Sequence, residues 1–279
     1  MPLGADVGIF VISLAAGLVG ALAGVGGGLF VVPALTLGFG LDIRLAVGAS
    51  IVSVIATSSG SAAAYVRDQM TDLHIGMFLE LATTTGAIGG ALLAAVVAPA
   101  ALFVLLGVVL LGSAAMQIIR LADVPVEPPE PTPAALRLHL YGSYPDRNEG
   151  RTISYHARRI PLGFALMAVA GLVSGLLGIG SGALKVLAMD GAMGLPIKVS
   201  SATSNFMIGV TAAASAGIYL SRGDVDPRIA APVALGVLGG ATIGARILPH
   251  LSSRAVRLIF VPVLVLVGLQ TLARGFGLL

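Results

Sequence analysis

At 279 residues, with 57% hydrophobic and only 10% charged side chains and a mean hydropathy of +1.00, the chain has too little polar surface to face water; soluble domains carry about 25% charged residues. Composition therefore predicts an integral membrane protein. The absence of cysteine excludes a disulfide framework and thiolate metal binding, and a net charge of only +3 with no basic cluster interleaved with aromatics excludes nucleic acid as a partner.

The first apolar run covers residues 7–39. As one straight helix it would be about 50 Å long, well beyond the roughly 30 Å of a bilayer core. It is interrupted by Gly24-Val25-Gly26-Gly27-Gly28. Glycine weakens a helix and frees backbone groups, and in lipid such groups persist only where protein or a water-filled cavity satisfies them. The break thus predicts a buried polar site. No basic n-region precedes the run, so a cleavable signal peptide is not expected and the first span should insert directly.

Further apolar segments follow at residues 43–66, 75–97 and 100–119. Residues 123–160 are the hydrophilic part. They open with a proline-rich stretch, expected to be extended, and Leu138 to Pro145 suggest a small hairpin. A second broken run then covers residues 161–189, followed by spans at 199–220, 229–248 and 255–272. Its break is Gly178-Ile179-Gly180-Ser181-Gly182.

The echo is systematic. Residues 17–91 lie over 171–245 without a gap, offset by 154, and 24 of the 75 pairs are identical, among them Gly28/Gly182, Ser50/Ser204, Thr57/Thr211 and Gly86/Gly240. That is roughly threefold what composition alone would produce, and internal duplication is common in secondary transporters. The expected fold is an all-α membrane protein of about eight transmembrane helices in two duplicated four-helix halves, residues 1–122 and 161–279, joined by a connector over 123–160. The first helix of each half is broken. Whether the halves are parallel or inverted depends on whether the piece after each break completes a crossing or dips back.

With eight crossings, Arg67, Arg120, Arg137, Arg147, Arg151, Arg158, Arg159, Arg222, Arg228 and Arg274 share one side, against Arg44, Lys198, Arg246, Arg254 and Arg257. The positive-inside rule then puts both termini and the connector in the cytoplasm, for a protein of the inner membrane.

A helix beginning after each break presents N–H donors and a positive dipole end, which suit an anion. Candidate substrate-binding residues are therefore Gly26, Gly27 and Gly28 in the first break and Gly180, Ser181 and Gly182 in the second. Lys185 joins them from the first turn of the following helix, where a bound anion would offset its burial; the alternative is a salt bridge to Asp190 or to Glu80 of the other half. Ser204 and Asn205 are candidate donors from the polar run Ser200-Ser201-Ala202-Thr203-Ser204-Asn205, with helix–helix bonding the competing role. Thr57 and Thr211 read as packing residues. Glu80 and Asp190 are candidates for ion coupling. The chain has no G-x-G-x-x-G, P-loop or H-E-x-x-H pattern, and its four histidines lack metal spacing, so no cofactor, metal or enzymatic activity is expected. The expected partners are a small anionic substrate and the lipid bilayer; a homo-oligomer is compatible with the sequence.

The two Gly breaks, the Ala202-Thr203-Ser204-Asn205-Phe206-Met207-Ile208-Gly209-Val210-Thr211 stretch and the turn from Tyr219 to Gly223-Asp224 make the chain resemble the TauE/SafE membrane permeases, the sulfite-exporter family. The resemblance implies a secondary transporter for a sulfur-containing anion such as sulfite or an organosulfonate. Two positions depart from the repeat: Ser181 replaces Gly27, one of the three consecutive glycines, and Leu187 replaces Pro33. A carboxylate permease and a non-transporting membrane scaffold are the rival readings.

Overall fold

The computed structural model describes residues 3–23, 27–67, 70–119, 132–146, 150–247, 251 and 253–278. The first half comprises α1 (Leu3–Ala23), α2 (Gly28–Pro33) running on into a π-helical stretch (Ala34–Gly38), α3 (Ile43–Arg67), α4 (Leu73–Leu93) and α5 (Pro99–Ile119). The connector contributes α6 (Pro133–Arg137) and an antiparallel hairpin of β1 (Tyr141–Asp146) and β2 (Arg151–His156), with Tyr141 opposite His156. The second half comprises α7 (Ile160–Leu177), α8 (Gly182–Val186) with its π-helical stretch (Leu187–Ala192), α9 (Ile197–Ser221), α10 (Pro227–Ile247) and α11 (Ser253–Gly275). The hairpin expected within residues 138–145 is displaced: residues 141–146 make one whole strand, and its partner comes from 151–156. Most of the proline-rich stretch lies outside the described residues.

Among the described residues, Ile43–Ser61, Leu73–Leu93, Ile160–Leu177 and Pro227–Ile247 are long and apolar enough to cross a membrane, and Val7–Leu22, Gly28–Gly38, Pro99–Ala115 and Val261–Gly275 are shorter apolar helices. Large apolar side chains point outward along them, among them Met77, Leu81, Leu235 and Leu266. A surface of this kind is stable only against lipid. The amphipathic stripe of a soluble helix is accordingly missing, and polar side chains turn inward.

Glycine decides which helices touch. A Cβ at Gly236 would collide with the carbonyl of Phe10, one at Gly240 with that of Leu14 and one at Gly244 with that of Leu18, so α1 and α10 run parallel at backbone contact. The same contacts recur 154 residues away: Gly86 meets the carbonyl of Ala168 and Gly90 that of Leu172, which brings α4 and α7 together in parallel. Each half thus lays its first helix along the third helix of the other. Without a hydrophobic drive between helices in lipid, such close approach supplies the packing energy.

Helix directions follow from these contacts. Gly60 lies at Leu238 and Thr242 while Gly48 lies at Asp224, so α3 also runs parallel to α10, and hence to α1. The chain must turn back between α1 and α3, and it does so in α2 and its π-helical extension: Phe39 returns to touch Gly8. The second half does likewise, since Met193 packs on Gly163 and its carbonyl accepts from the Arg158 N–H at 2.9 Å. Both broken runs are hairpins that end where they began. The connector hairpin docks at the α3–α4 end of the bundle, where the Tyr155 hydroxyl donates to Asp72 Oδ2 (3.1 Å) while Asp72 Oδ1 caps α4 at the Ile75 N–H (2.9 Å). Burial and the Asp72 carboxylate push the Tyr155 phenol far up, which keeps it a donor.

Replacing Gly240 by leucine should separate α1 from α10 and cost about 1–3 kcal/mol or more, whereas Gly89→Leu, at a position open to space, should be neutral. Thermal stability in detergent, followed by size-exclusion chromatography, distinguishes the two.

Candidate functional site

The two breaks meet. The Ser50 hydroxyl on α3 lies 3.2 Å from the Gly28 carbonyl and 2.8 Å from that of Gly178, linking the first break to the second. Around this point Gly28 abuts Ile179, and Gly180 abuts Val54 and Ile208, all fully or almost fully buried. Gly178 and Gly180 adopt φ of 62° and 72°, and Ser181 adopts 45°. Glycine takes this left-handed conformation freely, whereas Ser181 is strained there by about 1 kcal/mol. The first break is different at the matching position, because Gly27 keeps a right-handed φ of −62°. The substitution of serine for glycine thus accompanies a differently wound second turn.

Hydroxyls from the long helices satisfy the opened backbone. The Gly27 N–H donates to Thr57 Oγ1 at 3.2 Å. Ser204 donates to the Gly182 carbonyl at 3.3 Å, repeating the Ser50–Gly28 bond 154 residues on. Asn205 Nδ2 donates to the carbonyls of Ala21 (3.0 Å) and Ser201 (3.1 Å), tying α9 to the end of α1. Ser204 and Asn205 thus bond the two hairpins to α9. Two buried oxygens at the breaks, Ser181 Oγ and Asn205 Oδ1, have no hydrogen-bond partner among the described residues. Gly26 lies outside the described residues.

Lys185 is fully buried on α8. Its Nζ donates to Thr211 Oγ1 at 2.5 Å, and Thr211 donates to Glu80 Oε1, also at 2.5 Å. Glu80 Oε2 stands 3.7 Å from the ammonium. Thr84, one turn along α4, donates to Glu80 Oε1 at 3.0 Å. Of the two carboxylates considered for Lys185, the structure places that of Glu80 against it, so the pair joins the two halves. Asp190 sits buried on the π-helical stretch, five residues past Lys185. The sequence assigned Thr211 to packing and passed over Thr84. Their spacing did hold the signal: Glu80 and Thr84 are one helical turn apart on α4 and so share a face.

The cluster is not repeated by the 154-residue offset. Val31 and Ala234 occupy the positions matching Lys185 and Glu80, although Thr57 matches Thr211. The matching positions thus carry no charge. A groove of about 390 Å³, lined by Leu162, Leu166, Leu184, Leu187 and Arg159, runs along the second hairpin, but its lining does not include the cluster.

A family model described as sulfite exporter TauE/SafE matches residues 9–271. The chain belongs to the TauE/SafE family. Two proteins of Bacillus subtilis (strain 168) are similar to this TauE/SafE chain. One, named "Probable membrane transporter protein YunE", is 28% identical over 274 residues, covering 96% of this chain and 97% of that protein. The other, "Probable membrane transporter protein YdhB", is 28% identical over 239 residues, covering 85% and 88%. No solved structure matches the chain.

Truncating Lys185 alone should leave the Glu80 carboxylate buried without its counter-charge. Lys185→Met is expected to lose about 3–5 kcal/mol, and adding Glu80→Gln should restore much of it. A double-mutant cycle on thermal stability in detergent reads the coupling directly.

Proposed function

We propose that this TauE/SafE chain is a secondary transporter moving a small sulfur-containing anion, sulfite or an organosulfonate, across the inner membrane. The observation that carries the reading is the fully buried Lys185 beside two facing helix breaks. A buried ammonium is expensive in a membrane protein and marks a substrate or ion pathway by default. The oxygens of a sulfite or sulfonate match it as acceptors. Similarity to two proteins named as membrane transporters supports a permease over a scaffold. So does the asymmetry of the cluster, since a scaffold could close this junction as Val31 and Ala234 close the matching one.

The recurring contacts support a duplicated protein whose halves are inverted. On this reading α3, α4, α5, α9, α10 and α11 cross, and the two hairpins dip in from opposite sides. Six crossings replace the expected eight, and the connector then lies opposite the termini. The arginine count changes accordingly. Among the described residues Arg67, Arg137, Arg151, Arg158, Arg159, Lys198 and Arg246 share the connector side, against Arg44, Arg222, Arg228 and Arg274 on the side of the termini. The positive-inside rule now puts the connector in the cytoplasm and the termini outside. The breaks are close-packed against Val54, Ile179 and Ile208, so loading requires the hairpins to part, by one half rocking against the other.

Two measurements test this reading. Proteoliposomes should take up labelled sulfite above empty vesicles, with sulfonates competing better than carboxylates; the reverse order would identify a carboxylate permease. Because the chain has no cysteine, a single cysteine placed at Thr152 should react with a membrane-impermeant maleimide only after the cells are opened, and one placed at Leu278 should react in intact cells. The opposite pattern would restore cytoplasmic termini.

A further inference from the structure

Glu80 and Lys185 also suggest how transport is driven, an inference that rests on the permease reading above. We propose that Glu80 is a tethered internal anion that holds Lys185 when the site is empty and takes up a proton when the transported anion replaces it, so that each monoanion moves together with one proton.

The two carboxylate oxygens of Glu80 have different surroundings. Oε1 accepts hydrogen bonds from Thr84 and Thr211. Among the described residues Oε2 has no hydrogen-bond partner; it is buried and faces the Lys185 ammonium at 3.7 Å, too far for a hydrogen bond but close enough for strong attraction at low dielectric. A proton arriving at Oε2 converts the carboxylate to a neutral acid without disturbing the bonds at Oε1. Lys185 keeps its own proton and loses its counter-charge. An anion oxygen then pairs with the ammonium, and the buried charge remains balanced. Release of the anion reverses the steps: Glu80 gives up its proton and pairs again with Lys185.

The other charged and titratable groups on the neighbouring elements are few. α7, packed along α4, carries no charged side chain between Ile160 and Leu177. α9 brings Thr211 to the pair, and its charged residue, Lys198, lies in the first turn, more than three turns away. The π-helical stretch after α8 carries Asp190. On α4 itself the other titratable side chain is His74, six residues before Glu80. Val31 and Ala234 at the matching positions indicate that the charges serve function and are not demanded by the fold.

The test uses the full chain in proteoliposomes with a pH-sensitive dye in the lumen and labelled isethionate, a sulfonate whose charge does not change near neutral pH. In the wild type, an acidic outside should drive accumulation that rises about tenfold per pH unit of gradient, as one proton per monoanion requires. The lumen should acidify only when isethionate is present. In Glu80→Gln, labelled isethionate should still exchange for unlabelled, but accumulation should ignore the pH gradient and proton entry should cease. Wild-type uptake without proton entry, or coupling that survives in Glu80→Gln, would overturn the proposal while leaving the permease reading intact. Failure of both sulfite and isethionate to enter wild-type vesicles would remove that reading and this one with it. The wild-type arm can overturn the proposal even if Glu80→Gln does not fold.

Discussion

A backbone that leaves its helix inside a membrane must find new hydrogen-bond partners, because lipid offers none. This chain leaves the helix twice, and the requirement shapes the rest of the molecule. Thr57 accepts the Gly27 N–H, Ser204 donates to the Gly182 carbonyl, and Ser50 lies against the carbonyls of Gly28 and Gly178 together. The last of these joins the halves at their weakest points. Each break is completed by small hydroxyls on the second long helix of a half, which explains why α3 and α9 are rich in serine and threonine on their buried faces. Such hydroxyls are cheap to bury, since they also bond the carbonyls of their own helix, as Thr57 and Ser61 do.

The exchange of helices between halves follows from a second constraint. Two hairpins that only dip into the bundle cannot by themselves bury their faces. Each lays its longer arm along the third helix of the opposite half, with glycines at the contact bringing backbones together. The arrangement couples the breaks mechanically: a movement of α1 drags on α10, and one of α7 drags on α4, which carries Glu80. The ion pair of Glu80 with Lys185 then bridges both hairpin geometry and half-to-half contact. A buried pair of this kind contributes little net stability compared with apolar packing, and the matching junction at Val31 and Ala234 shows the apolar solution in the same chain. Retaining charge on one side only is consistent with a role in handling an anion.

Much was legible before any coordinates. The lipid-facing composition, both breaks, the long helices to within a few residues and the 154-residue echo all depend on local pattern: apolar runs of membrane length, glycine clusters and self-similarity. Lys185 stood out because a lysine in an apolar stretch after a helix break is anomalous on its own terms. Glu80 was named both as a possible salt-bridge partner and as a coupling residue. Ser204 and Asn205 stand out by their polarity, but only the fold shows that they donate to the carbonyls of Gly182 and Ala21.

The amino-acid sequence by itself determined the membrane setting, where helices begin and fail, and which rare polar groups lie within them, because each of these is governed by neighbours along the chain. Tertiary structure decided the rest. The direction taken after each break depends on whether Phe39 meets Gly8 and Met193 meets Gly163, contacts across 30 or so residues that no local period encodes. The choice of Glu80 for Lys185 spans more than 100 positions, and it arises only because parallel packing of α4 and α9 sets Glu80 beside Thr211. Sequence spacing names the charges; only the folded bundle brings them within reach of each other.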